Sequence, residues 1–426
     1  MEMRRRENMD LFLVSVLALY LELLLIRWVA TEINLFAYLQ NAILVVCFLG
    51  LGIGCLRGGR VTPSQYLVPL GLLVLMLCLP PSAAALRKVS SLLTTLGDVN
   101  ALEALAFGSR TEVRWAIPIG LGITFGVMIL IWQVFVPLGR MLGALMSSHP
   151  KPLLAYSVNI AGSLVGIGAF VLLGVLEQPP AVWFLTAGVP LAYFILREPS
   201  RRAADILLLC GVLAVPLLVS ADPGALRVLW SPYQKLVLTR ADSAADYPSY
   251  RYFVTVNNTS YQGIMDLSRE SVAAQPTHFP PAEAGLSQYD IPYLVHPRPR
   301  RVLIVGSGSG NDVAGALRAG VEHVTAVEID PAIIEFGREF HPERPYASPR
   351  VTVVNDDARA FFATSDERFD VISFGLLDSH TTTAMTNARL DHYVYTRESI
   401  AMARRLLAPG GVMTLNFAAH RDFIGD

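Results

Sequence analysis

A glycine-rich loop and two acidic residues in the last third of the chain could together bind a nucleotide. Gly306, Gly308 and Gly310 follow an apolar run, a setting in which the backbone can approach a ligand and the N–H groups of the next helix point towards it. Glu328 stands about 20 residues further on, where a carboxylate can accept hydrogen bonds from both ribose hydroxyls. Asp357 follows the next apolar run and could accept a hydrogen bond from an adenine amino group. This order predicts an adenosine-binding site.

A second set of reactive side chains follows the fourth apolar run of the same region. Asp378 and His380 could supply a base, because histidine titrates near neutral pH. Asp391 could select a cationic amine, and Tyr393 could line the same substrate site. Ligands of open α/β sheets bind beyond the carboxyl ends of the strands, which is where this segment falls. The alternative is an ordered loop whose tyrosines pack on the sheet.

The elements that must position these residues alternate between strand and helix from Arg301 onwards. Short apolar runs between amphipathic segments predict a parallel sheet with helices on both faces. We therefore expect a Rossmann-like α/β domain of the class I methyltransferase type over 301–426. A full sheet of that type needs two further strands, so the sequence predicts either a fragment truncated at its C-terminus or a shorter sheet. Strands are predicted at 302–305, 324–329, 351–354, 371–374 and 412–417, and helices at 312–319, 331–340, 357–363 and 398–407.

The preceding residues predict a small β module and a linker. Val228–Leu238 and Tyr252–Ile264 are rich in Val, Tyr and Thr and predict short strands, with a turn at Asn257-Asn258. We place the β module at 221–270 and a Pro-rich linker at 271–300.

Residues 1–220 have the composition of a membrane-embedded helical domain. Hydrophobic residues make up 53% of the whole chain and charged residues only 16%, too apolar for a soluble protein of this size. A helix needs about 20 mainly apolar residues to span a bilayer. In the fifth such segment, Gly162 and Gly166 are spaced for close packing of another helix, with Asn159 as a hydrogen-bonding partner. The segments predicted to span are 11–30, 36–56, 66–84, 116–138, 153–176, 181–197 and 204–220.

Over about 228–417 the sequence resembles the spermidine synthase family of polyamine aminopropyltransferases, and in particular its multi-pass integral-membrane bacterial members. The resemblance is carried by HPRPRRVLIVGSGSG, AVEIDP, NDDAR and FDVISFGLLDS. It implies a membrane-bound transferase that uses decarboxylated S-adenosylmethionine to aminopropylate a small amine such as putrescine. It also places Gly306, Gly308, Gly310, Glu328 and Asp357 at the cofactor, and it matches Gln262 to a family glutamine near the cofactor.

Two departures from the family pattern leave other functions open. The family's glycine loop carries an aspartate that holds the aminopropyl amine, and Ser309 stands there. The family carries two aspartates after the fourth strand, the first serving as a base, and the matching positions are Gly375 and Asp378. One alternative is an S-adenosylmethionine-dependent methyltransferase or related transferase acting on a membrane-delivered substrate. Another is a non-catalytic membrane sensor or transporter with a degenerate nucleotide-binding domain.

The charges and cysteines bear on location and partners. If the seven predicted helices alternate, most Lys and Arg fall on one face, which predicts a multi-pass protein of the bacterial inner membrane with a cytoplasmic N-terminus. An odd number of crossings would put the soluble domain outside, whereas the supply of adenosyl cofactor favours the cytoplasm. The balance of 34 Lys+Arg against 35 Asp+Glu gives no case for nucleic acid. The spacing of the four cysteines matches no metal site. A homodimer is compatible with the sequence.

Overall fold

The chain divides into two compact units, Met1–Pro223 and Gly224–Asp426. The computed structural model describes residues 2–33, 36, 40–57, 60–95, 110–197, 202–219, 222, 224–241, 249–279, 287–377 and 393–416.

The described part of the first unit is helical. Its apolar segments form long helices because a helix satisfies every backbone hydrogen bond within the segment. The helices are α1 (Glu2–Glu32), α2 (Gln40–Leu56), α3 (Ser64–Cys78), α4 (Pro80–Thr95), α5 (Arg110–Ser148), α6 (Pro152–Val175), α7 (Pro180–Arg197) and α8 (Arg202–Leu218).

The predicted spanning segment 66–84 is not one continuous helix. α3 ends at Cys78, and Leu79 takes an extended conformation before Pro80 starts the next helix. The two pieces, Ser64–Cys78 and Pro80–Lys88, are bent by 75°. The physical reason is Pro80, because a proline disfavours the helical conformation of the residue before it and donates no backbone hydrogen bond.

The helices of the first unit differ in whether they are long and apolar enough to cross a membrane. Within the described ranges, four helices are long and apolar enough to cross a membrane, or up to five if the bent pair counts as one span. The predicted segments 36–56 and 204–220 form helices of 17 residues each, shorter than these four. The four are Arg6–Glu32, Pro118–Ser148, Pro152–Val175 and Pro180–Arg197.

The predicted small-residue face of α6 packs against α1. A Cβ atom on Gly166 would lie 2.4 Å from the backbone oxygen of Val16, and one on Gly162 would lie 2.6 Å from that of Phe12. Any larger residue would therefore separate the two backbones. The Ser15 hydroxyl donates a 2.8 Å hydrogen bond to Asn159 Oδ1. These contacts confirm the packing and the hydrogen-bonding partner that the sequence predicts.

The second unit begins with an antiparallel sheet of two hairpins. The predicted single strand Val228–Leu238 is wrong, because a turn around Ser231–Gln234 divides it into two. The predicted turn at Asn257-Asn258 is confirmed, with φ of 48° and 63°, the positive values that a two-residue hairpin turn of type I′ requires. The strands, in their order in the sheet, are β1 (Arg227–Trp230), β2 (Lys235–Arg240), β3 (Tyr250–Val256) and β4 (Thr259–Met265).

The second sheet is parallel and has the order β7-β6-β5-β8-β9 among the described residues. The chain runs from β5 outwards to β7 and then returns to the other side of β5, so the order reverses beside β5, and ligands of such sheets bind at that point. The predicted alternation is confirmed, although the last strand starts five residues early. The strands are β5 (Arg301–Val305), β6 (His323–Glu328), β7 (Val351–Asn355), β8 (Phe369–Phe374) and β9 (Leu407–Leu415).

Helices cover both faces of this sheet. Leu303 and Val305 pack with α13 (Ala358–Thr364) and α14 (Arg397–Arg405). On the other face, Val302 and Ile304 pack with α11 (Asn311–Arg318) and α12 (Pro331–Phe340). Successive residues of a strand point to opposite faces, so a continuous apolar run is buried on both sides. The region predicted as a linker contains two short helices. The helices of this unit are α9 (Arg269–Ala273), α10 (Ile291–Val295), α11 (Asn311–Arg318), α12 (Pro331–Phe340), α13 (Ala358–Thr364) and α14 (Arg397–Arg405).

Candidate active site

The glycine loop between β5 and α11 needs glycine for its conformation and for space. Gly306 has φ of 68° and Gly308 has φ of 55°, in the left-handed region that side chains rarely adopt. A Cβ atom on Gly306 would lie 1.7 Å from a methyl carbon of Leu377. One on Gly308 would lie 2.9 Å from the side-chain amide of Gln262. On its buried side the loop is held by Tyr346, whose hydroxyl donates to the Gly308 carbonyl at 2.6 Å.

Glu328 lies at the end of β6 and is fixed against the glycine loop. The Gly308 N–H donates to Glu328 Oε2 at 2.9 Å, and the Asp330 N–H donates to Oε1 at 3.0 Å. Only 6% of Glu328 is exposed, and this burial raises its pKa to about 7. A carboxylate has about four lone-pair sites. Both oxygens therefore keep a site for a hydroxyl donor.

A cavity of about 140 Å³, here called the nucleotide cavity, opens beside this carboxylate. It brings together four of the predicted site residues: Gly306, Glu328, Asp357 and Tyr393. Sequence reasoning missed the rest of its wall, because the β module supplies part of it from about 100 positions away in the chain. The added lining residues are Tyr233, Gln234, Tyr261, Val305, Val327, Ile329, Asp330, Ile333, Asp356, Ala358, Leu377 and Val394.

Asp357 has a structural role in addition to its place in the nucleotide cavity. Its Oδ1 accepts hydrogen bonds from the backbone N–H groups of Arg359 and Ala360, at 2.9 and 3.0 Å. It is therefore the N-cap of α13. Oδ2 accepts no hydrogen bond within the described ranges, so it is the atom that could receive an adenine amino group.

Asp330 attaches the β module to the nucleotide cavity. Ser231 Oγ and Gln234 Nε2 donate to Asp330 Oδ2 at 2.8 and 2.9 Å, while Oδ1 accepts from the Ala332 N–H at 3.0 Å. These bonds fix the turn that carries Tyr233. The Asp-Pro pair could have predicted a helix start here, since aspartate at the N-cap before proline is a common start signal. No sequence feature near Asp330 predicts its two hydrogen-bond donors in the β module, Ser231 and Gln234.

A second cavity of about 150 Å³ lies on the other side of the glycine loop and is here called the loop cavity. Gly306 and Tyr261 line both cavities. Two predicted residues, Gly308 and Gln262, line the loop cavity, and Gln262 Oε1 accepts from the Ser309 N–H at 3.3 Å. The other lining residues are Tyr250, Gly263, Gln288, Tyr289, Asp312, Leu376 and Asn416.

Asp312 is the acidic residue of the loop cavity, and sequence reasoning missed it. It is 8% exposed, and burial raises its pKa to about 7. The neighbouring Asn311 joins the walls of this cavity, because its Nδ2 donates to the Gly263 carbonyl at 2.7 Å and to the Tyr289 hydroxyl at 3.1 Å. Adjacent polar residues in the first turn of a helix beside a ligand loop were the available signal.

The positions that depart from the family pattern differ in what they contact. Ser309 is fully buried, and its hydroxyl has no hydrogen-bond partner among the described residues. It lines neither cavity. Gly310 also lies outside both linings, so the structure does not bring this predicted cofactor contact to the cavity. A Cβ atom on Gly375 would lie 2.7 Å from the Gly306 carbonyl oxygen and 3.5 Å from Asp312 Oδ2.

The carboxyl groups of Asp and Glu give the two cavities an acidic lining. Glu328, Asp330, Asp356, Asp357 and Asp312 contribute carboxyl groups. No Lys, Arg or His occurs among the described residues that line either cavity. Such a lining attracts cations and repels anions.

The predicted catalytic residues Asp378 and His380 and the predicted substrate residue Asp391 lie outside the described residues. Their roles stay predictions. Tyr393 begins the next described segment, is 44% exposed and lines the nucleotide cavity; its predicted contact with the amine substrate stays a prediction.

Comparison with known proteins gives a consistent family. Residues 289–419 match the spermine/spermidine synthase domain. A polyamine aminopropyltransferase of Korarchaeum cryptofilum is 31% identical over 129 residues, which cover 28% of this chain and 38% of the relative. Polyamine aminopropyltransferase 1 of Streptomyces coelicolor is 30% identical over 291 residues, with coverage of 60% and 49%. The crystal structure of spermidine synthase from Thermotoga maritima is 19% identical, with a TM-score of 0.34 and coverage of 47% and 60%.

The chain spans from about a third to about a half of the length of these two curated relatives. The matched residues contain the glycine loop, Glu328 and Asp357, so the similarity includes the residues that build the nucleotide cavity. The chain therefore contains a domain of the spermine/spermidine synthase family at residues 289–419.

Proposed function

We propose that the second unit transfers an aminopropyl group from decarboxylated S-adenosylmethionine to a primary amine such as putrescine. The observation that carries this proposal is the charge of the two cavities, which present carboxyl groups and no described basic residue. The donor in its decarboxylated form has a sulfonium and an ammonium group and no carboxylate. Both substrates are then cations, which an acidic lining attracts.

The donor's adenosine would occupy the nucleotide cavity. Glu328 would accept hydrogen bonds from the ribose hydroxyls, and Asp357 Oδ2 would accept one from the adenine amino group. Gly306, which lines both cavities, would then lie near the sulfonium. The amine nitrogen attacks the aminopropyl carbon bonded to sulfur, and that carbon–sulfur bond breaks. Its electron pair stays on sulfur as methylthioadenosine forms, and the nitrogen loses a proton. Holding both reactants in this geometry lowers the barrier, because the two molecules no longer have to meet and align during the reaction.

Methyl transfer from intact S-adenosylmethionine is the second candidate, and the loss of family aspartates at Ser309 and Gly375 favours it. Against it stands the donor's own carboxylate. Two like charges about 5 Å apart repel by about 3 kcal/mol at an effective dielectric constant of about 20. Without a basic residue to pair with, that carboxylate fits the acidic lining poorly.

An activity assay tests the reaction. The purified full-length protein is incubated with the decarboxylated donor and a set of primary amines, and products are identified by mass spectrometry. We expect methylthioadenosine and one amine enlarged by an aminopropyl group, in equal amounts. Asp366→Asn, at an exposed position outside both cavities, is the control and should behave like wild type. Methylated product from intact S-adenosylmethionine, with no aminopropylated amine, would contradict the proposal.

We further propose that the first unit is embedded in a bacterial inner membrane. Its support is the four or five apolar helices long enough to cross and the small-residue packing of α1 on α6. The alignment with the Streptomyces coelicolor relative covers 60% of this chain, more than the second unit alone supplies. At least part of the apolar unit is therefore alignable with that relative. Homodimer assembly stays a prediction.

A further inference from the structure

Asp312 is a buried carboxyl group without a charged partner. It lies in the first turn of α11, lines the loop cavity and is 8% exposed. In the part of the chain that the structure describes, no Lys, Arg or His forms an ion pair with it, and no side chain donates a hydrogen bond to it. A carboxylate in that state has lost hydration that no cation and no side-chain donor replaces. The group that would compensate is a cation that enters the cavity.

The surroundings of Asp312 fit an ammonium group in particular. An ammonium carries three N–H donors in a compact charge. The loop cavity offers the Asp312 carboxylate, the side-chain carbonyl oxygens of Gln262 and Gln288 and the Tyr289 hydroxyl as acceptors. Tyr289 is fixed by Asn311 Nδ2, which donates to its hydroxyl at 3.1 Å. A cavity of about 150 Å³ admits an extended alkylamine.

The position of Asp312 relative to Gly375 explains how the chain could work without the family's first aspartate. A Cβ atom on Gly375 would lie 3.5 Å from Asp312 Oδ2. The carboxylate of Asp312 therefore lies beside the place where the resemblance expects a base. The same Cβ atom would be only 2.7 Å from the Gly306 carbonyl oxygen, so this backbone excludes an aspartate at 375. Ser309 offers no substitute, because it lines neither cavity.

We propose that Asp312 binds the amine of the acceptor substrate in the loop cavity and takes the proton that this amine loses. This inference rests on the proposed aminopropyl transfer. The bound ammonium first passes one N–H proton to an Asp312 oxygen, which leaves a lone pair on the nitrogen. That lone pair forms the bond to the aminopropyl carbon as the carbon–sulfur bond breaks and its electrons remain on sulfur. The product amine leaves as a secondary ammonium, and the Asp312 carboxylic acid releases its proton to water. Gly306, common to both cavities, marks where the amine meets the donor.

The first test separates amine binding from donor binding. Asp312→Asn has the same shape and no charge, and Asp366→Asn makes the same change at an exposed position outside both cavities. By calorimetry we expect Asp312→Asn to bind methylthioadenosine within about 3-fold of wild type. With methylthioadenosine saturating, its affinity for 1,4-diaminobutane should fall by at least about 30-fold, and its turnover by at least about 100-fold. Amine affinity and turnover within about 3-fold of wild type would overturn the proposal.

Two further measurements keep the proposal testable if Asp312→Asn does not fold. Asp312→Glu retains a carboxylate, and we expect it to bind the diamine within about 10-fold of wild type; a larger loss with methylthioadenosine binding intact would contradict the role of the charge. Wild type should bind 1,4-diaminobutane at least about 30-fold more tightly than the neutral 1,4-butanediol. Equal binding of the two would also overturn the proposal.

The outcomes distinguish this inference from the proposed function. If wild type transfers an aminopropyl group and Asp312→Asn transfers it equally well, only the role of Asp312 fails. If wild type binds the diamine through Asp312 but forms no aminopropylated product with any amine, the proposed transfer fails and the amine site remains.

Discussion

At the scale of single residues, burial decides how the acidic groups of the site behave. Glu328 is 6% exposed and Asp312 is 8% exposed, and burial raises the pKa of each to about 7. Neither has a basic neighbour in the described linings. Asp357 is less buried and caps α13, so its position is fixed by the helix as well as by any ligand.

The first residue-scale prediction concerns donor affinity. Glu328→Ala removes a buried acceptor for two ribose hydroxyls, and hydrogen bonds to charged groups contribute about 1.5–3 kcal/mol each. We therefore expect methylthioadenosine to bind at least about 30-fold more weakly by calorimetry, in a protein that still unfolds cooperatively. Glu367→Ala, on the surface and outside both cavities, should leave the affinity unchanged. Unchanged binding to Glu328→Ala would remove this residue from the ribose site.

The second residue-scale prediction concerns the pH dependence of protein stability. The pKa of Glu328 rises from 4.5 to about 7 on folding because of burial. The folded state then holds a proton that the unfolded state releases, so stability from this group is fully present below pH 4.5 and is lost as pH rises through about 7. Each pH unit in that window removes on the order of 1 kcal/mol. Glu328→Gln cannot titrate. We therefore expect the Tm of wild type, measured without ligand, to fall relative to the Tm of this variant between pH 5 and pH 7. A constant difference would contradict the raised pKa.

At the scale of elements, local patterns predicted the strands and helices of the parallel sheet, whereas long-range contacts decided the site's walls. The Asp330–Pro331 start of α12 and the Asn257-Asn258 turn follow from preferences of neighbouring residues. The partners of Asp330 in the β module, and Tyr233 beside them, follow from tertiary packing that no periodic pattern contains. The sequence does not distinguish Asp312 from an ordinary first-turn acid, because acidic residues are common at the positive end of a helix.

The element-scale prediction concerns the turn between β5 and α11. Gly306→Ala places a methyl group 1.7 Å from a Leu377 carbon in a backbone with φ of 68°. We expect a loss of at least about 2 kcal/mol of stability from strain and overpacking, together with weaker methylthioadenosine binding. Gly320→Ala is the matched control, because its φ is 83° but no atom lies within 4 Å of the added carbon. It should lose only about 1 kcal/mol and keep its affinity; equal losses in the two variants would show that space at Gly306 is unimportant.

At the scale of the whole molecule, hydrogen bonds and ion pairs show which segments of the first unit lie at each end of α1. Asn8 of α1 hydrogen-bonds His149 at 2.9 Å, and Asp10 pairs with Arg197. At the other end of α1, Glu32 pairs with Arg87 at 2.9 Å. The same Arg87 pairs with Asp222 at 3.1 Å. The chain therefore leaves the first unit at the end opposite its N-terminus.

This arrangement yields a prediction of topology. If the first unit spans the membrane with a cytoplasmic N-terminus, Asp222 and the start of the second unit lie on the outer face. Cofactor supply favours the opposite outcome, a cytoplasmic second unit, and a labelling experiment distinguishes the two. In a full-length chain whose four native cysteines are replaced by serine, a membrane-impermeant maleimide added to intact cells should label Ala225→Cys and not Ser148→Cys. Labelling of Ser148→Cys alone would place the second unit in the cytoplasm and reverse the prediction.

The central claim is that an acidic pair of cavities selects a cationic adenosyl donor without a carboxylate. It is tested most directly by titrating the purified full-length protein with decarboxylated S-adenosylmethionine, intact S-adenosylmethionine and methylthioadenosine in one calorimetric series at pH 7.5. We predict that the decarboxylated form binds at least about 10-fold more tightly than the intact form, because repulsion of one carboxylate exceeds about 1.4 kcal/mol. Tighter binding of intact S-adenosylmethionine would contradict the account.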